Sequence, residues 1–264
     1  KPIRGYLESG SLSHIVGYTG EITDEEYNAL YNKGYTLNST TGKSGMEKQY
    51  DGLLRGVDGK RFKIVDVKEK QLREAAGDDI APRPGKTLVL TIDRQIQKLA
   101  EKALGPRIGA VVVLKPANGE VLALVSYPWF NPAIFYSDEG QEEFRALSRD
   151  NRFPFINRAI QAEYPPASVF KVVMSTAMIE EKALSINEKI YCSGKMQLGD
   201  RVARCWKEHG HGPVDFLEAI ARSCNIYYYT LGVEHLKIDT IIHYARLFGF
   251  GSPTGIDLPQ ERSG

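Results

Sequence analysis

The chain has 264 residues, 42% of them hydrophobic and 25% charged, with a formal net charge of +1. That composition is globular and excludes disorder, collagen and coiled coil, and the 34 basic residues are spread too evenly to form a nucleic-acid stripe. No apolar run approaches the roughly 18 residues that a membrane helix needs, and no signal peptide opens the sequence at Lys1-Pro2-Ile3.

Short elements come first. Thr23-Asp24-Glu25-Glu26 is a capping box that opens a helix running to Asn32 and stopping near Gly34. An Asp58-Gly59 turn signal precedes a partly alternating strand from Arg61 to Val67. At Asp78 to Gly85, two prolines, a glycine and two acids predict a linker. The expected division is therefore residues 1–84 and residues 85–264.

Beyond the linker, Lys86 to Ile92 reads as a strand. Asp93 caps a helix with Ile96, Leu99, Ala100, Ala103 and Leu104 on one stripe, and Gly105-Pro106 ends it. A hairpin follows: Ala110 to Leu114, an Asn118-Gly119 turn, and Val121 to Ser126. The run of valines predicts a first strand buried on both faces. From Ser168 the pattern is helical, with Val169, Phe170, Val173, Met174, Ala177 and Met178 on one stripe. A second helix begins at Asp215, closed by Glu218, and a third covers Ile238 to Phe248. The order of helix, antiparallel hairpin and helices is α+β, not a doubly wound parallel sheet.

Two short motifs carry the chemistry. Ser168-Val169-Phe170-Lys171 follows two prolines that set Ser168 in a first helical turn. Serine needs an adjacent base, and residues three apart share a helix face, so the Lys171 amine is expected against the Ser168 hydroxyl. Burial under the apolar stripe would favour the neutral amine. Ser223-Cys224-Asn225 lies 55 residues downstream of Ser168. Acyl transfer wants a second hydroxyl to relay protons and an amide to hold substrate backbone, and Ser223 and Asn225 supply them. Trp129 and Phe130 read as core, and Glu47 and Asp51 as structural hydrogen-bonding groups.

Together the two motifs resemble the penicillin-recognising serine acyltransferases, whose motif set is Ser-x-x-Lys, Ser-x-Asn and Lys-Thr-Gly. Ser13 to Gly20, Gly42 to Gly56, Leu90 to Asp93, Asn157-Arg158-Ala159 and Phe248 to Gly264 are similar to class B penicillin-binding proteins, in their penicillin-binding protein 2 branch. The resemblance implies an N-terminal pedestal and a serine transpeptidase domain of antiparallel sheet and helices. It implies a D,D-transpeptidase that cross-links peptidoglycan stem peptides in cell elongation, with Ser168 as nucleophile, Lys171 as base, Ser223 as relay and Asn225 as clamp. It implies inhibition by β-lactams, a membrane glycan polymerase and a periplasmic scaffold as partners, and an N-terminal anchor at the periplasmic face of the inner membrane. The third motif is not found downstream of Asn225, so the transpeptidase domain is expected to be incomplete. Lys43-Ser44-Gly45 has matching letters but reads as a structural turn. Ala167 stands where the family commonly has glycine. The alternatives are a non-catalytic scaffold, or a β-lactam sensor or β-lactamase; the Gly42 to Gly56 signature speaks against the last two.

The three cysteines, Cys192, Cys205 and Cys224, fall within 33 residues. With His211 they form a candidate Cys3His set for a structural zinc ion, as in some relatives in this branch. Cys224 lies between Ser223 and Asn225, so a metal there would hold the motif in place. His209 is the rival histidine; Gly-His-Gly around His211 is the more pliant backbone. Buried free thiols, or one disulfide plus one thiol, are the other readings.

Overall fold

The computed structural model describes residues 4–7, 10–65, 67, 71–74, 79–136 and 138–264. Their contacts divide into two compact units, Lys1–Ala162 with Ile256–Glu261, and Glu163–Gly255 with Arg262–Gly264. The architecture is α+β, built from two-stranded antiparallel sheets and short helices.

The first unit opens with α1 (Ser13–Val16), β1 (Thr19–Glu21), α2 (Asp24–Leu30), β2 (Thr40–Gly42), α3 (Gly45–Gln49) and α4 (Asp51–Leu54). The Thr23 capping box forms in full: its hydroxyl accepts from the Glu26 amide, and the Glu26 carboxylate accepts from the Thr23 amide. The helix tightens into a 3-10 turn over Tyr31–Lys33 and ends at Gly34, whose φ is +81°. β1 and β2 pair antiparallel, Thr19 opposite Gly42.

Glycines set how closely α1 and α3 approach. A Cβ on Gly17, whose φ is +77°, would lie 1.9 Å from the Ser44 carbonyl oxygen, and one on Gly42 would lie 1.9 Å from the Glu47 carbonyl oxygen. Lys43-Ser44-Gly45 is thus a structural turn into α3, with Lys43 ion-paired to Glu26. Glu47 and Asp51 are structural too: Glu47 pairs with Arg4 at 3.1 Å, and Asp51 accepts from the Gly42 amide at 2.9 Å and from the Tyr35 hydroxyl.

The predicted linker is paired backbone over its described part. Ile80 and Lys60 exchange two hydrogen bonds, as do Arg83 and Val57, so residues 80–83 lie antiparallel on 57–60. Residue 78 lies outside the described residues. The strand predicted from Arg61 is β3 (Lys63–Val65), which pairs with β4 (Gln71–Glu74); residue 66 of that prediction is outside the described residues. Lys86 to Ile92 does not form the strand expected of it. It has only separate ties: the Lys86 amide to the Leu53 carbonyl, and the Thr91 hydroxyl to the Val121 carbonyl. Without a ladder partner, an apolar run stays irregular, and Val89 is exposed.

α5 (Arg94–Leu104) is capped by Asp93, whose carboxylate accepts from the Gln95 and Ile96 amides. Its buried face differs from the expected stripe: Gln97 is buried and Leu99 exposed. The Gln97 amide replaces a missing backbone partner, donating to the Leu124 carbonyl and accepting from the Leu124 amide, each at 2.9 Å. β5 (Gly109–Leu114) and β6 (Val121–Tyr127) make the predicted hairpin, Val111 opposite Val125. The strand buried on both faces is β6, not the valine-rich β5. Ala123 and Val125 pack under Ala100 and Leu104 of α5, while Leu124 packs with Ile15 and Leu258. Val112 and Leu114 of β5 are exposed. α6 (Asp138–Ser148) and α7 (Arg158–Gln161) complete this unit. Phe130 is core, edge-on to His14 and Phe155.

The second unit holds α8 (Phe170–Glu180), the antiparallel pairs of β7 (Ile190–Cys192) with β10 (Gly212–Val214) and β8 (Lys195–Leu198) with β9 (Arg201–Arg204), then α9 (Phe216–Ala221), α10 (Asn225–Thr230) and α11 (Ile238–Leu247). Val173, Met174, Ala177 and Met178 of α8 are buried as predicted, against Tyr227, Leu231 and Tyr244, whereas Val169 of the predicted stripe lies in the turn before α8 and is exposed. The Asp215–Glu218 capping box forms at α9.

Gly17→Ala should lower the unfolding free energy by at least ~2 kcal/mol, since a left-handed L-residue costs about 1–2 kcal/mol before the clash with Ser44 is counted. Urea unfolding of the variant against the parent chain checks this.

Candidate active site

The site is built on the start of α8 and on the turn between α9 and α10. Ala167–Val169 is a 3-10 turn that runs straight into α8, so Ser168 and Lys171 share one continuous helical rise. Ala167 has φ +49°, the left-handed region where glycine is at ease. Across from it the chain leaves α9 at Ala221 and re-enters α10 at Asn225. Ser223, between the two, also has φ +49°.

These two elements bring Ser168, Lys171, Ser223 and Asn225 together. Ser168 Oγ is 3.0 Å from Ser223 Oγ. Lys171 Nζ donates to Ser223 Oγ at 3.0 Å, to the Ser223 carbonyl at 2.9 Å and to Asn225 Oδ1 at 2.7 Å. The lysine therefore reaches Ser168 through Ser223, not directly as the three-residue spacing suggested. The reason lies in the partner turn: it offers Nζ three acceptors, which match the three donors of an ammonium group. Burial is the largest influence on the Lys171 amine and lowers its pKa; thiolates at Cys205 and Cys224 act in the opposite direction. A lowered pKa leaves more of the lysine as the neutral amine that can accept a hydroxyl proton at neutral pH.

Asn225 is engaged at both ends of its amide, since Nδ2 donates to the Arg204 carbonyl at 3.2 Å. One N–H and one lone pair remain for a substrate amide. Ser168 opens onto a cavity of about 610 Å³ walled by Phe170, Met174, Leu198, Val233 and Ile241. The Tyr228 hydroxyl lies 2.8 Å from Ser175 Oγ, and the Lys171 ammonium stands over the Tyr228 ring at 5.5 Å. Sequence reasoning did not single out Arg204, because a backbone acceptor leaves no motif; Tyr227-Tyr228-Tyr229, expected to split between core and surface, does so, with Tyr227 and Tyr228 buried and Tyr229 exposed.

Behind the turn, Cys192, Cys205, His211 and Cys224 converge, with their ligand atoms all within 4.8 Å of one another. His211 Nδ1 is 3.6 Å from Cys192 Sγ and 3.5 Å from Cys205 Sγ. No two of the thiols are bonded to each other, and all three are buried. His209 is exposed and takes no part. Glycines let the loops meet: a Cβ on Gly210, whose φ is +75°, would lie 2.0 Å from the Cys192 carbonyl oxygen. Burial and the neighbouring thiols push Cys224 up to about 12. Burial raises Cys205 as well, but backbone amides of Lys207, Asn225 and Ile226 outweigh it and leave that thiol below its ordinary pKa. The donor set suits a soft, tetrahedral ion, whose metal–sulfur bonds of about 2.3 Å set donors roughly 3.5–4 Å apart.

Comparison with known proteins identifies the family. The family model for the penicillin-binding protein transpeptidase domain matches residues 109–264, and that for the penicillin-binding protein dimerisation domain matches residues 1–90. The chain belongs to the penicillin-binding protein family. It is 35% identical to peptidoglycan D,D-transpeptidase MrdA of Acinetobacter baumannii, over 99% of this chain and 39% of that protein. The Escherichia coli MrdA is 32% identical, over 99% of this chain and 42% of that protein. Among solved structures, the complex of penicillin-binding protein 2 with MreC from Helicobacter pylori aligns with a TM-score of 0.84 at 31% identity, over 98% of this chain and 48% of that one. The chain thus spans about two fifths of the length of the curated relatives it matches.

Ala167→Gly should raise the unfolding free energy by roughly 0.5–1 kcal/mol, since relief of the left-handed strain exceeds the entropy that glycine adds to the unfolded chain. A thermal melt showing no gain would mean that Ala167 is not strained.

Proposed function

We propose that this chain is the pedestal and the first part of the catalytic domain of a peptidoglycan D,D-transpeptidase that serves cell elongation. The observation that carries the reading is the hydrogen-bonded run from Ser168 through Ser223 to Lys171, with Asn225 on the same ammonium. Ser168 Oγ attacks the carbonyl carbon of the penultimate D-alanine of a donor stem peptide. As it does so, its proton passes to Ser223, and the Ser223 proton passes to neutral Lys171. Collapse of the tetrahedral adduct breaks the bond to the terminal D-alanine, whose nitrogen receives the proton back through Ser223. An amine of a neighbouring stem peptide then attacks the ester on Ser168, and its proton returns the hydroxyl to Ser168. The free N–H and lone pair of Asn225 hold the donor backbone. β-Lactams acylate the same hydroxyl by ring opening.

Cys192, Cys205, His211 and Cys224 would hold one zinc ion in a closed structural site. Such an ion would supply no reaction step; through Cys224 the flanking Ser223 and Asn225 would be tied to three other points of the chain. The parent protein works at the periplasmic face of the inner membrane, held by a membrane anchor. Its first partner is a scaffold of the MreC kind, by analogy with the Helicobacter pylori complex. Its second partner is a membrane glycan polymerase, in keeping with a similar structure described as a complex coordinating polymerization and crosslinking.

Intact mass of the full-length protein after fluorescent penicillin should show one covalent adduct, lost in Ser168→Ala. An unmodified protein would favour the scaffold reading. Because Lys171 acts as the neutral amine and its pKa is lowered, the acylation rate should rise with pH and level off, with its midpoint below that of an ordinary lysine. Native minus denatured mass should equal one zinc ion, and the difference should vanish in Cys205→Ser; no difference would leave three free thiols.

A further inference from the structure

Three consecutive residues grip the Ser223-Cys224-Asn225 turn from one side. The Arg204 carbonyl accepts from Asn225 Nδ2 at 3.2 Å. Cys205 stands in the cluster with Cys224. Trp206 Nε1 donates to the Arg222 carbonyl at 2.9 Å. The first two contacts reach side chains, but the third reaches the peptide group that immediately precedes Ser223. That peptide group is held at both ends, because its N–H, that of Ser223, donates to the Ile220 carbonyl at 3.0 Å.

We infer that Trp206 is a positioning residue for Ser223, fixing the peptide plane that lets Ser223 hold its left-handed backbone and keep its hydroxyl between Ser168 and Lys171; the inference rests on the transpeptidase reading above. Ser223 has φ +49°, a conformation that a non-glycine residue keeps only when its surroundings enforce it. Rotation of the Arg222–Ser223 peptide plane would turn the Ser223 side chain away and break the run of 3.0 Å contacts on both sides of it. Packing does not account for the tryptophan, which is 67% exposed. Its ring meets one aromatic neighbour edge-on, His211, at 5.3 Å between centroids, and that contact orients the indole N–H. The indole thus carries the rigidity of the Cys–His cluster to the backbone of the relay serine. A residue that sets the alignment of reacting groups acts on the rate of the chemical step and leaves ground-state binding nearly untouched.

The test uses the full-length protein with a fluorescent penicillin, separating non-covalent affinity from the acylation rate constant. Trp206→Phe keeps a ring beside His211 and removes the N–H. It should lower the acylation rate constant about tenfold to hundredfold, with affinity changed by less than about twofold, and with zinc content and Tm as in the parent. Benzothienylalanine at position 206 keeps the full indole shape without the N–H, and should reproduce the loss even if the phenylalanine variant folds poorly. Parental acylation rates in that isosteric variant would overturn the inference. So would a rate loss that comes only with loss of zinc or a fall in Tm, since Trp206 would then support the fold and not the relay. A parent protein that penicillin does not acylate would instead remove the transpeptidase reading, and this inference with it.

Discussion

The left-handed turn at Ser223 is the constraint on which the second unit depends. A side chain's direction follows from its backbone, so one residue at φ +49° sets its own direction and that of the two residues after it. The Ser223 hydroxyl faces Ser168 and Lys171, the Cys224 thiol faces the buried cluster, and Asn225 opens α10 with its amide toward Lys171. Such a conformation costs of order 1–3 kcal/mol and persists only where surrounding contacts over-determine it. Those contacts are on view: backbone bonds from Ser223 and Cys224 back to α9, the thiols behind, and the Arg204–Trp206 segment alongside.

α8 supplies the other half of the arrangement. Its buried residues begin at Val173, two positions past Lys171, and continue through Met174, Ala177 and Met178. That packing sets the helix so that Lys171 is half-buried while Ser168, one turn earlier, is exposed. The gradient from core to solvent along a single turn separates the roles. The lysine loses solvation and becomes a weaker base, and the serine stays open to a ligand. Both Ala167 and Ser223 sit in the left-handed region, so strain gathers on the two turns that face each other across the Ser168 and Ser223 hydroxyls.

The first unit shows why its most recognisable sequence is architectural. Within Gly42 to Gly56, Gly42 and Gly45 are crowded by backbone, and Glu47 and Asp51 close hydrogen bonds within this unit. Side chains at these glycines would strike carbonyl oxygens that no rotamer change could move aside. The hairpin strand β6 is covered by α5 on one face and by Ile15 and Leu258 on the other, which makes it the centre of this unit.

What the sequence determined by itself was local. The capping boxes at Thr23 and Asp215, the Asp93 cap, the Asn118-Gly119 turn and the apolar stripe of α8 all depend on partners within about four residues, and chain spacing alone specifies them. The members of the two motifs and of the thiol cluster were legible for a related reason: residue type and order single them out. Tertiary structure decided whatever depends on which surface covers which. β6 is doubly buried in place of β5, Gln97 faces inward in place of Leu99, Lys86 to Ile92 lacks a ladder, and residues 80–83 are paired backbone. It also decided that Lys171 meets Ser168 by way of Ser223. Helical spacing places two side chains on one face, but only the turn 55 residues away could insert a second hydroxyl between the serine and the lysine.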